Sequence, residues 1–378
     1  MKILQILPEL NSGGVECVTL ELAEHLARNG HEALVVSNGG RLVPDLEAKG
    51  GRHIAMPVHR KRLSSLLQVR PLRHLFERER PDVVHIHSRV PGWLAWFAWR
   101  RMLPATRPRL VSTVHGFYSV NAYSAIMTRG ERVIAVSECT RDYITKNYPR
   151  TPTERICVIP HGIDLEKYPR DYWPSAKWLQ AWRAQYPELA GRIVLVLPGR
   201  ITRLKGHEAF FDLLAALRRE GVPAHGLIVG DVHPKKRAYL CELQQKVQSG
   251  GLDKFVTFTG HRPDLREIMA VSNVIYSLSV QPESFGLTTL EAAALGRPVI
   301  GWDHGGVTEL LRKLYPEGLV PLGDASALLN ATRAVLRGAS APKPISHPWT
   351  RAAMCETTLA TWTGLLRATS PQTTRITP

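Results

Sequence analysis

Two glutamates stand eight residues apart in the segment Pro282-Glu283-Ser284-Phe285-Gly286-Leu287-Thr288-Thr289-Leu290-Glu291. Phe285-Gly286 reads as the turn that opens a helix. Eight residues is a little over two helical turns, so Glu291 projects from the same side as the helix entry. Glu283 lies in the loop before it. The N–H groups from Phe285 through Leu287 to Thr288 have no intrahelical partner and form an anion-accepting helix N-terminus. A ligand with a phosphate in its middle and hydroxyl groups at both ends satisfies all three parts. A second segment, Pro198-Gly199-Arg200-Ile201-Thr202-Arg203-Leu204-Lys205-Gly206, runs from an apolar stretch into a glycine turn with spaced cations. That pattern suits a diphosphate. Taken singly, each motif also has a plain reading: a loop acid with a solvated helix-face glutamate, or a basic strand-to-helix loop. Together the functional reading prevails.

The Glu283 block, with its alanine run and Gly296-Arg297-Pro298, resembles the glutamate-x7-glutamate motif of the family 4 retaining glycosyltransferases. The resemblance implies the GT-B fold, two Rossmann-like doubly wound parallel-sheet α/β domains facing a central cleft. It implies a nucleotide-sugar substrate, with a UDP-sugar favoured, and a glycolipid or oligosaccharide acceptor. In that family the first glutamate lies at the donor sugar and the second holds the ribose hydroxyls, roles that fall on Glu283 and Glu291. The matching Arg and Lys bind the donor diphosphate, so Arg200 and Lys205 inherit that contact, with the helix entry at Phe285, Gly286 and Leu287. Relatives work without a metal, so no metal and no cofactor is expected. UDP-sugar 2-epimerases share the fold but lack this pair of glutamates. A non-catalytic nucleotide-sugar-binding protein is the other alternative.

Further motifs lie in the first half. Asn11-Ser12-Gly13-Gly14-Val15-Glu16 sits between an apolar strand and a helix; paired glycines there let a ligand approach the backbone, and the spacing is not a dinucleotide fingerprint. The family has a glycine-rich loop at this point, which makes Gly13 and Gly14 donor-side residues. Thr113-Val114-His115-Gly116-Phe117 ends a strand, where open α/β sheets place ligands. It resembles the segment whose histidine lies at the donor sugar, so His115 is the candidate active-site imidazole. His85 and His87 alternate along a strand and point to one face, without further ligands at metal-binding spacing, so they read as structural. His161, where relatives usually carry Asn, reads the same way. Arg262, in Gly260-His261-Arg262-Pro263-Asp264, matches a position that meets the nucleotide base through its backbone.

These residues need a scaffold of alternating strands and helices. Apolar runs predict strands over residues 2–7, 32–37, 52–56, 82–87, 110–115, 132–136 and 156–159. A second series follows over 193–197, 226–229, 255–258, 274–277, 299–302 and 319–321. Helical patterns lie between them, as in 15–29, which ends on Asn29-Gly30. Two successive parallel-sheet units follow. We place the first, an acceptor domain, at residues 1–168 and the donor domain at 169–348. The Trp-, Tyr- and Pro-rich stretch 168–187 reads as the connection. A C-terminal helix over 349–367 is expected to cross back onto the first domain, with a frayed tail from Thr369 to Pro378.

At 378 residues the chain exceeds the size of a single core, which supports two domains. Hydrophobic residues at 44% and charged residues at 22% fit a globular protein, not a disordered one. No apolar run approaches the ~18 residues of a membrane span, and the start of the chain lacks a signal-peptide pattern. Five scattered cysteines without Cys-x-x-Cys fit a reducing compartment, so a cytoplasmic location is expected. The charge of +16 is uneven: from Arg52 to Arg109, 13 Lys/Arg face three acids. No nucleic-acid-binding motif accompanies that charge. An anionic inner-membrane surface or a phosphorylated glycolipid is the favoured partner, which makes the protein peripheral. In Pro91-Gly92-Trp93-Leu94-Ala95-Trp96-Phe97 the aromatic stripe predicts a helix buried against the sheet, with an interfacial belt as the alternative.

Overall fold

The computed structural model describes residues 1–11, 13–232, 237–338 and 340–368. All thirteen expected strands form. The first sheet contains β1 (Lys2–Ile6), β2 (Glu32–Ser37), β3 (Gly51–Ala55), β4 (Val83–Ile86), β5 (Arg109–Val114), β6 (Arg132–Ala135) and β7 (Ile156–Val158). They pair in parallel in the order β3-β2-β1-β4-β5-β6-β7. The second contains β8 (Ile193–Pro198), β9 (Ala224–Val229), β10 (Val256–Gly260), β11 (Val274–Ser277), β12 (Val299–Trp302) and β13 (Leu319–Val320). Its order is β10-β9-β8-β11-β12-β13, again parallel.

Parallel strands covered by helices on both faces must be apolar on both, which is why they read as continuous apolar runs. The period of two then sorts side chains between two cores. In the first sheet Leu4, Ile6, Leu34, Val36, Val84 and Ile86 pack under the helices Val69–Glu79 and Arg89–Arg100. Ile3, Val35, Val83, Val111 and Ile134 face the opposite way, onto the helix Gly14–Arg28. That helix begins one residue before the expected start and ends on Asn29, with Gly30 at φ +70°. The helix Arg351–Arg367 closes the same core with Met354, Cys355, Trp362 and Leu365.

The chain divides into two compact units, residues 1–162 with the C-terminal helix, and residues 163–350. The division falls after Gly162, not at 168. Ile163 bridges Thr350 and its N–H donates to the Trp349 carbonyl at 2.9 Å, so this stretch is pinned to the returning chain. The segment 168–187 is not a free connection. It contains the helix Ala176–Gln185, and Trp182 and Tyr186 lie in the core of the second unit. The tail expected from Thr369 to Pro378 lies outside the described residues.

The aromatic helix is buried against the sheet as expected, but through its small residues and not its rings. Arg89–Arg100 buries Pro91, Gly92, Leu94, Ala95 and Ala98, leaving Trp93, Trp96 and Phe97 half-buried on its flank. The small residues let the helix sit close to the sheet, so the bulky rings take the outer side.

Candidate active site

In the second unit the chain leaves β8 toward β9 on one side, while β11 lies on the other. That makes β8/β11 the topological switch point, where open parallel sheets form a ligand crevice beyond their C-terminal ends. The loops after these two strands carry the expected residues. Val280 N–H donates to the Leu204 carbonyl at 2.9 Å. Gly206, at φ +72°, has its missing Cβ position only 2.0 Å from the Leu278 carbonyl oxygen. No larger residue allows the loops this close.

The approach brings Lys205 Nζ to 2.6 Å from Glu283 Oε1, and Ser279 Oγ donates to the same oxygen. Burial alone raises a carboxyl, but the charge and hydrogen bond of Lys205 and the Ser279 hydroxyl outweigh it, holding Glu283 below its usual range. Glu283 is therefore an ionised, oriented acceptor at neutral pH. Its backbone is equally constrained: Gly306 N–H donates to its carbonyl at 2.7 Å. A Cβ on Gly305 would lie 2.6 Å from that oxygen, and one on Gly306 would lie 2.5 Å from Phe285 Cα. The Trp302–Gly306 turn is thus the wall against which the Glu283 loop is built.

Phe285 is buried as the loop's anchor, and Gly286, at φ +102°, turns the chain into the helix Leu287–Ala294. Glu291 sits on that helix and accepts a hydrogen bond from Tyr168 Oη at 3.1 Å. Burial raises its carboxyl above the ordinary range, only partly offset by Tyr168 and the charge of Lys167. The two glutamates therefore occupy opposite electrostatic environments. Arg200 is exposed in the loop that ends at Lys205, and among the described residues no carboxylate pairs with it.

Arg262 is positioned differently. Its guanidinium grips Asp264 at 2.8 and 2.7 Å, reaches Gln185 at 3.0 Å and lies over the Trp182 ring. The side chain is committed to fastening the helix Ala176–Gln185 to this loop, which leaves only the backbone for a ligand.

In the first unit the switch point is β1/β4. Gly13, at φ +143°, precedes the helix that starts at Gly14 on the loop after β1, and Ser12 lies outside the described residues. A Cβ on Gly13 would meet the Glu16 carboxylate at 2.6 Å. His115 follows β5 and belongs to a buried histidine network. His87 Nε2 lies 3.0 Å from Gln5 Oε1, and His87 Nδ1 lies 3.0 Å from His115 Nε2. Gln5 Nε2 donates to the Thr19 carbonyl at 3.1 Å, which fixes its amide so that Oε1 accepts from His87. His87 Nδ1 is then a lone pair and accepts from His115 Nε2–H, leaving His115 Nδ1 as a lone pair in turn. His161 stacks on His115 with centroids 5.4 Å apart, and His85 Nε2 meets Thr113 Oγ1 at 2.7 Å.

Burial, aided by neighbouring rings, lowers His87 and His115 well below the usual histidine range. His85 falls to about 3 for the same reasons, and burial alone takes His161 to about 4. All four rings are neutral at pH 7. Sequence reasoning missed Ser279, Tyr168 and Gln5. Only Gln5 left a signal, as a polar residue inside an apolar strand.

The model of the glycosyltransferase family 4 matches residues 12–167, and that of the group 1 glycosyl transferases matches residues 192–338. The chain is 28% identical over 341 residues to a phosphatidyl-myo-inositol mannosyltransferase of Mycobacterium leprae, covering 86% of this chain and 84% of that protein. It is 27% identical over 270 residues to the lipopolysaccharide core biosynthesis mannosyltransferase LpsB of Rhizobium meliloti, covering 68% and 73%. Its fold matches the crystal structure of Anabaena Alr3699/HepE in complex with UDP and glucose. There the TM-score is 0.77 at 22% identity, over 96% of this chain and 99% of that one.

Proposed function

Because the chain belongs to glycosyltransferase family 4 and has the GT-B fold, we propose that it moves a hexosyl unit from a UDP-sugar to a hydroxyl of a glycolipid or saccharide. The transfer retains anomeric configuration and needs no metal ion, and its products belong to lipopolysaccharide core or another surface polysaccharide. The likeness to a UDP-bound fold and to a lipopolysaccharide mannosyltransferase supports the donor and the pathway.

The observation that carries this reading is the Lys205–Glu283 pair at the β8/β11 switch point. Transfer builds negative charge on a departing diphosphate while the sugar gains oxocarbenium character. A cation beside an ionised carboxylate matches both developing charges. Lys205, Arg200 and the helix N-terminus at Phe285, Gly286 and Leu287 receive the diphosphate. Glu283 orients the sugar hydroxyls, and Glu291 takes the ribose. His115 offers a neutral imidazole to the donor sugar, and the Gly13–Gly14 loop admits the phosphates. The leaving phosphate oxygen accepts the acceptor's proton on the same face, which accounts for retention. Arg262 meets the base through its backbone.

Among the described residues no helix is long and apolar enough to cross a membrane. We place the enzyme in the cytoplasm, held at the anionic inner face of the membrane by the basic stretch Arg52–Arg109. A thermal-shift screen of nucleotide-sugars identifies the donor, since native-state binding raises the melting temperature by mass action. The Glu283→Ala variant is expected to lose transfer while keeping its fold, and normal turnover in that variant refutes the assignment.

A further inference from the structure

The outer flank of the helix Arg89–Arg100 borders a groove of about 560 Å³. Val90, Trp93, Leu94 and Phe97 form its floor, and the turn Leu63–Gln68 supplies the opposite wall. Leu63 and Leu66 on that wall are 87% and 48% exposed, an apolar display that a soluble protein rarely keeps without a use. Trp93 Nε1 is already donated to the Tyr123 carbonyl at 2.8 Å, so the indole offers the groove only carbon.

The rim is cationic. Lys61 lies 4.6 Å from the centre of the Tyr123 ring, and Arg129 lies 4.5 Å from that of Trp96. Arg60 and Arg62 complete the edge. The groove is lined by no acid among the described residues, and the acids of the basic stretch 52–109 are taken: Glu77 by Arg73, Glu79 by Arg52 and Arg78, and Asp82 by the Lys2 backbone N–H. Among the described residues no carboxylate pairs with Arg60, Lys61, Arg62 or Arg129. The rim is therefore open to an anionic group from outside the molecule.

We propose that the groove holds one acyl chain of a phosphate-bearing glycolipid. The chain lies against Trp93, Phe97, Leu63 and Leu66, and the phosphate is received by Lys61 and Arg129. The volume falls within the range of single-ligand pockets, which suits one chain. An apolar trough with a cationic lip complements an amphiphile with one apolar tail and one anionic head. This rests on the reading that the acceptor is a glycolipid, and it locates the part of that acceptor far from the reacting hydroxyl.

The test is calorimetric titration of the full-length protein with linear alkyl phosphates of increasing length, each below its micelle-forming concentration. Affinity is expected to rise about fourfold per added methylene and to level off once the groove is full. The Leu63→Asp/Leu66→Asp double variant should lose the length dependence while its circular dichroism is unchanged. Arg129→Glu should weaken every length by a similar factor and leave the increment intact. Affinity independent of length overturns the proposal, as does an increment that survives the double variant, or alkyl glucosides binding as tightly as the phosphates. Light scattering that shows a dimer dispersed by the double variant also overturns it, because a second copy then covers the groove. UDP binding and UDP release are followed in parallel. Their failure beside an intact chain-length series counts against the transferase substrates and leaves the groove standing; the reverse result removes the groove alone.

Discussion

Removing the Lys205 ammonium separates the catalytic role of the pair from its structural one. The side chains of Lys205 and Glu283 are 28% and 22% exposed and meet at 2.6 Å. A fully exposed pair contributes about 0–1 kcal/mol, and breaking a buried one costs about 3–5 kcal/mol. This intermediate site should therefore cost roughly 1–3 kcal/mol, well within the ~5–15 kcal/mol of a typical domain. The Lys205→Ala protein should fold. Its loss in transfer should be larger, since deleting one preorganised donor to a developing oxyanion lowers kcat by about 10²–10³. The pH profile adds a second readout. With Lys205 gone, the largest influence opposing burial at Glu283 is lost, so the carboxyl rises and the acid limb of kcat/KM moves to higher pH. UDP release measured from pH 4.5 to 8 reports both effects, and Lys205→Arg should return the limb toward its original position. A loss under tenfold, or an unmoved acid limb, refutes the reasoning.

Gly206→Ala should lower the melting temperature by several degrees and reduce UDP release with it. The residue has φ +72° and its Cβ would lie 2.0 Å from the Leu278 carbonyl, so the two loops must part; unchanged melting and turnover contradict this. Acidification should destabilise the first unit. His85 and His161 have folded values of about 3 and 4 against an unfolded value near 6.5, so the folded form binds fewer protons. Stability is complete above about pH 6.5 and falls as pH drops toward 4, and a denaturant midpoint equal at pH 7.5 and 5 rules this out. His87→Ala should unlock the tautomer of His115, read as a shift in its ¹⁵N resonances toward averaged values. A spectrum that still shows Nε2–H alone removes the positioning role of His87.

The strands were legible because double-sided burial demands apolar runs, and β4 and β9 are buried at every position. Their order was less so. Lys205 and Glu283 are 78 residues apart and share no local pattern; they meet because β11 inserts beside β8. The Gln5–His87 contact spans 82 residues and has the same origin in the adjacency of β1 and β4. Aromatic and proline content misled at 168–187, since Trp182, under Arg262 and stacked on the half-buried Trp178, has the composition of a connection but the burial of a core. The burial of the aromatic helix against the sheet was legible from its rings, but the side that meets the sheet is set by Gly92, Ala95 and Ala98, whose small side chains carry little periodic signal.

The helix Arg351–Arg367 places Trp362 at zero exposure in a core whose other members, apart from the helix's own, come from the stretch Ile3 to Ile159. Emergence from the ribosome therefore runs against completion: a contiguous later unit can fold while the earlier one still waits for its last piece. A released chain truncated after residue 350 would carry a complete second unit and a first unit open along Gly14–Arg28, exposing Leu22 and Leu26 to chaperones.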